Sequence, residues 1–251
     1  MKSCPSCAHQ FSNDYKYCPL CGNPFENVND PRYWARKALG ARLEGQSLSS
    51  SIAAMKTACE VSPNDAHLLC GLGKLYYRAG KFDEAISQFQ RAIALKPEYT
   101  DAHYELALAY YRSGRIGKTI ESMKKCLEIG HDDLGAYYWL GIAYYHAGRE
   151  SEAIAAFQHL LALNPAAVIA NYHLGVNFAA VGRYEEAIVQ FKRVLEVSPD
   201  DQAAAYHLGM AYYHAQRMAE ATDVFRKALA QDPRDHRLHQ MYEMLTEVPA
   251  I

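Results

Sequence analysis

Tryptophan is nearly absent from this chain, with two residues in 251, and neither sign of charge is in excess: 26 Lys and Arg face 28 Asp and Glu, for a net charge of -2. That balance excludes a global electrostatic pull toward nucleic acid or an anionic membrane. No run of about 18 apolar residues occurs, so no transmembrane span is expected. The N-terminal Met1-Lys2-Ser3-Cys4-Pro5 lacks the apolar stretch of a secretory signal, and the expectation is a cytoplasmic protein. Seven cysteines, four of them crowded near the N-terminus, are too few and too unevenly placed for a disulfide framework. Half the residues are hydrophobic, which excludes a disordered chain. Tyrosine is what the sequence has in plenty: nineteen, against eight phenylalanines. A buried tyrosine needs a partner for its hydroxyl, so an ordinary core is rarely filled this way.

The crowded cysteines form two CxxC knuckles, Cys4-Pro5-Ser6-Cys7 and Cys18-Pro19-Leu20-Cys21, the second followed by Gly22. Two pairs of thiolates suit one tetrahedral Zn²⁺, with iron the other metal that such a set holds. Residues 1–25 resemble the short zinc-ribbon family. The resemblance implies one structural Zn²⁺ on Cys4, Cys7, Cys18 and Cys21, with no open position for catalysis. Residues 26–31 read as a short polar linker. Some zinc ribbons bind nucleic acid, but Lys2 and Lys16 are offset by Asp14 and Glu26.

Beyond the linker one unit is written repeatedly. Prolines stand at Pro63, Pro97, Pro165, Pro199 and Pro233, spaced by 34 residues or its double. On that period Leu72-Gly73 recurs as Leu106-Ala107, Leu140-Gly141, Leu174-Gly175 and Leu208-Gly209. An aromatic follows at Tyr76, Tyr110, Tyr144, Phe178 and Tyr212, and a turn at Gly80, Gly114, Gly148, Gly182 and Gln216. Within each half the apolar residues fall three and four apart, the mark of one helix face. A fixed period of this length is the signature of a repeat architecture.

These motifs resemble the tetratricopeptide repeat family over five copies, residues 63–232. Residues 32–62 read as a degenerate copy, and 233–251 as a capping helix and tail. The resemblance implies an all-α solenoid of antiparallel helix pairs forming a right-handed superhelix, whose concave face is lined by the first helix of each pair.

Sorted by angle, the first helices place a second set of residues on that face. Lys74, Tyr77 and Arg78 come from the first copy, and Tyr104, Leu108, Tyr111 and Arg112 from the second. Tyr138, Ile142 and Tyr145 come from the third, Tyr172 from the fourth, and Tyr206, Met210 and Tyr213 from the fifth. Eight tyrosines thus share two equivalent stations, and Cys70 falls on the same side. Tyrosine combines rigid contact area with a hydroxyl at low entropic cost, which suits a groove for a peptide. The other role open to these rings is to pack across to the next repeat.

No nucleophile, base and orienting group come together in the sequence, and no catalytic residue is assigned. The expectation is therefore a non-enzymatic scaffold that binds a peptide segment of a partner protein, with self-association open. The alternatives are a nucleic-acid-associated regulator using the ribbon, against which the charge argues, and a structural assembly subunit.

Overall fold

The computed structural model describes residues 2–3, 10–11, 47–130 and 133–246. The chain divides into two compact units, Met1–Arg115 and Ile116–Ile251. In the first, strands β1 (Lys2–Ser3) and β2 (Gln10–Phe11) pair antiparallel, with Lys2 opposite Phe11 and Ser3 opposite Gln10. Four helices follow: α1 (Leu48–Val61), α2 (Ala66–Arg78), α3 (Phe82–Leu95) and α4 (Thr100–Arg112). The second unit holds α5 (Ile116–Ile129), α6 (Leu134–His146), α7 (Glu150–Leu163), α8 (Val168–Ala180), α9 (Tyr184–Val197), α10 (Gln202–His214), α11 (Met218–Gln231) and α12 (His236–Thr246). Within each unit, helices adjacent in sequence pack on one another, as expected of an all-α repeat built from antiparallel pairs. The linker and the first half of the degenerate copy lie outside the described residues.

Local chemistry sets the helix ends. Asp65, Asp133 and Asp201 cap α2, α6 and α10, their carboxylates accepting backbone N–H groups of Leu68, Ala136 and Ala204. The turns between paired helices need a left-handed residue, supplied by glycine at Gly80, Gly114, Gly148 and Gly182 with φ of 66–77°. The fifth turn uses Gln216 at φ 62°, where a side chain costs about 1 kcal/mol.

One close approach fixes four of the five pairs. Phe89, Phe157, Phe191 and Phe225 are fully buried on second helices. Their rings lie so near Gly73, Gly141, Gly175 and Gly209 that a Cβ on any of those glycines would meet ring carbon at under 3 Å. Helix α12 departs from this scheme. On the 34-residue register, the stations of Leu208, Gly209 and Tyr212 become Tyr242, Glu243 and Thr246. No second helix follows within the described residues. Leu238 is fully buried.

Candidate functional site

In the first unit Lys74 is not an isolated cation. Its ammonium lies 3.2 Å from Glu105 and 3.8 Å from Asp101. Burial opposes its charge, but Glu105 and Asp101 more than compensate, and its pKa is raised. The Lys74 charge is thus largely answered within the protein. Arg78 and Arg112 are exposed, the latter with its guanidinium 5.7 Å from the Phe82 ring. Tyr77 packs edge-on against the same ring at 5.6 Å. Tyr77, Tyr104, Leu108 and Tyr111 are all half-buried.

Cys70 does not face the groove. It is 1% exposed, and burial pushes its thiol up to about 11, so it is neither accessible nor ionised at neutral pH. The angular argument failed because Cys70 packs into the core with Met55, Ala58 and Leu69. The small side chain sinks where the other copies place tyrosine.

In the second unit the two tyrosine stations separate. Tyr138, Tyr172 and Tyr206 are half-buried and belong to aromatic clusters that join neighbouring repeats. Tyr138 meets Phe157 of its own repeat edge-on, with centroids 6.2 Å apart, and its hydroxyl lies 3.2 Å from Nε2 of His173 in the next. His173 in turn stacks on Phe157 at 5.5 Å and 13°. One repeat further on, Tyr172, Phe191 and His207 repeat the arrangement, with His207 stacked on Phe191 at 5.6 Å and 16°. Tyr206 and Phe225 continue the series, with Arg237 of α12 5.3 Å from the Tyr206 ring. These rings therefore take the inter-repeat role that the sequence left open.

The other station is more open. Tyr145 is 39% exposed, while Tyr213 is half-buried beside a half-buried Met210. Each ring packs edge-on to the histidine that follows it, His146 and His214, at 5.3 Å. Ile142 requires a correction: it is 6% exposed and belongs to the core, because α6 is apolar nearly all round and its aliphatic groups are taken up by packing.

The expected zinc is also corrected. Among the described residues no group of three or more His, Cys, Asp or Glu is placed to hold a metal. The cysteines there, Cys59, Cys70 and Cys126, are free and buried. Cys4, Cys7, Cys18 and Cys21 lie outside the described residues. Among the described residues no helix is long and apolar enough to cross a membrane.

Sequence reasoning missed the cation that opens each second helix. Lys81, Arg115, Arg149, Arg183 and Arg217 recur on the 34-residue period. The last three place their guanidinium groups 4.5–4.7 Å from the core rings of Tyr144, Phe178 and Tyr212. Each also pairs with a glutamate one turn on: Glu152, Glu186 and Glu220. The period made this station legible, but only the packing showed that it clamps the turn to the core.

Burial lowers the pKa of both His173 and His207 below the ordinary 6.5, with His146 adding to the effect at His173 and Arg237 at His207. The unfolded chain therefore binds protons first as pH falls. The stabilisation is fully present above 6.5 and is lost as pH drops through that value and then through the lower folded-state pKa values. The melting temperature is expected to fall on acidification over this range. In a His173→Phe/His207→Phe variant, which keeps stacking rings without the titration, that fall should be smaller; an unchanged pH profile would remove these histidines as the cause.

Tetratricopeptide-repeat family models match residues 100–129, 135–167 and 172–236, and a TPR repeat model matches 76–114. Superkiller protein 3 of Saccharomyces cerevisiae is 38% identical over 76 residues, which is 30% of this chain and 5% of that protein. The peroxisomal targeting signal receptor of Kluyveromyces lactis is 35% identical over 63 residues, 25% of this chain and 11% of that protein. The matches thus span only a small part of these curated relatives. Among solved structures, YrrB, described as a TPR protein with an unusual peptide-binding site, superposes with a TM-score of 0.68 at 22% identity, covering 74% of this chain and 96% of its own. The MamA protein superposes with a TM-score of 0.65 at 25% identity, covering 74% and 97%.

Proposed function

This chain belongs to the tetratricopeptide repeat family, and from that premise we propose that it binds a peptide segment of a partner protein on the first-helix face of its repeats. The all-α repeat fold is one it shares with YrrB and MamA. One observation carries the finer reading. Tyr145 keeps 39% of its surface open on a helix whose core aromatic, Tyr144, is already 5% exposed and in place. Packing of the repeat does not account for a second large ring beside it. The half-buried Tyr77, Tyr111 and Tyr213 occupy the same station in other copies. Rings of this kind, rigid and amphipathic, are enriched at binding hot spots. The peptide-binding site named for YrrB supports the same use of this fold. Tyr138, Tyr172 and Tyr206 contribute more through the stack than through direct contact.

The test uses the full chain as bait. A Tyr145→Ala/Tyr213→Ala variant, with helical content and melting temperature matched to the parent, is expected to lose at least about tenfold in capture of partner proteins quantified by mass spectrometry, the scale of a hot-spot truncation. An unchanged set of captured proteins would refute the assignment.

A further inference from the structure

The two units present first helices of different electrostatic character. In the first, α2 carries Lys74 and Arg78, and α4 carries Asp101, Glu105 and Arg112. In the second, α6, α8 and α10 contain no Asp, Glu, Lys or Arg. At the chain average of 22% charged, three helices of 13 residues would hold about nine such groups. The architecture itself does not forbid them, since α2 and α4 hold five at equivalent stations.

Several charges near these helices in the second unit are partnered or employed elsewhere, while α12 carries Arg237 and Glu243. Arg237 pairs with Asp235 at 3.0 Å, and the Asp201 carboxylate caps α10. The second-helix arginines Arg149, Arg183 and Arg217 are held by Glu152, Glu186 and Glu220.

We propose that the first-helix face of the second unit selects an uncharged, apolar-anchored peptide segment. The proposal rests on the peptide-binding reading above and narrows the chemistry of the ligand. A charged ligand side chain covered by this face would lose water and find no opposite charge on α6, α8 or α10, an arrangement that opposes binding. An aliphatic side chain meets instead the rings of Tyr145 and Tyr213 and the adaptable thioether of Met210. Hydroxyl and imidazole groups on the same helices can satisfy the neutral amides of a peptide backbone without introducing charge. The key station is that of Met210, where the first unit carries Lys74.

The experiment selects random peptides displayed on phage against the full chain at neutral pH. It is repeated with the Tyr145→Ala/Tyr213→Ala variant and with Met210→Lys, each shown to be helical by circular dichroism. The expected pool from the parent is uncharged and rich in aliphatic residues. Its capture changes less than about twofold between low and high salt, because no ion pair is screened. The double tyrosine variant should lose at least about tenfold of that capture, and Met210→Lys should turn the selected pool acidic and salt-sensitive. A parent pool dominated by charged, salt-sensitive peptides that still needs Tyr145 and Tyr213 would overturn the uncharged-ligand proposal and leave the peptide-binding site standing. A pool captured equally by the tyrosine variant, or no enrichment at all, would overturn both.

Discussion

Phe157→Ala is expected to destabilise the second unit by about 3–5 kcal/mol, toward the top of the range for large-to-small core changes. The ring is fully buried and supports three neighbours at once. A Cβ on Gly141 would stand 2.7 Å from it, His173 stacks on it, and Tyr138 meets it edge-on. Gly141 has no side chain to move into the vacated space, so the cavity cannot collapse from that side. His173 and Tyr138 lose their common platform together, which loosens the joint between α6–α7 and α8. Denaturant unfolding should show an earlier midpoint, and hydrogen exchange should quicken in α6, α7 and α8. A loss below about 1 kcal/mol would mean that the site relaxes and that the aromatic cluster contributes little.

Gly209→Ala is the second large effect, expected at about 1–3 kcal/mol from overpacking. The added methyl would fall 2.5 Å from Cζ of Phe225, a fully buried ring with nowhere to retreat. The sequence itself suggests the remedy. The second copy has Ala107 at the glycine station and Met123 at the phenylalanine station, and so does not combine alanine with phenylalanine. A Gly209→Ala/Phe225→Met double variant should therefore be less destabilised than the sum of its singles, by about 0.5–3 kcal/mol, the coupling typical of residues in contact. Strict additivity in thermal unfolding would show that the close approach does not constrain the pair.

Both predictions act on residues whose type was legible from periodicity alone. The 34-residue repetition places Gly209 on one helix of a pair and Phe225 on the other, and only a small residue lets two helix backbones approach over a large ring. The same reasoning was less secure on the first-helix face. There the sequence placed Ile142 and Cys70 beside the tyrosines by angle, and the structure buried both. A helix with few polar groups, such as α6, has no polar side to orient it, so angle alone does not separate groove from core. The split between Tyr138 and Tyr145 was equally hidden. Both are tyrosines on one helix, and only the neighbouring His173 and the Phe157 platform show that one joins repeats while the other stays open.

By itself, then, the sequence determined that the chain is a tetratricopeptide array, how its helices divide, and where glycine, proline and the core aromatics must stand. These follow from local periodicity and from backbone sterics that depend on few residues. The tertiary structure alone decided the fate of the abundant tyrosines. Exposure is set by what the adjacent repeat brings against each ring, a contact between residues about 34 positions apart that no helix-face pattern encodes.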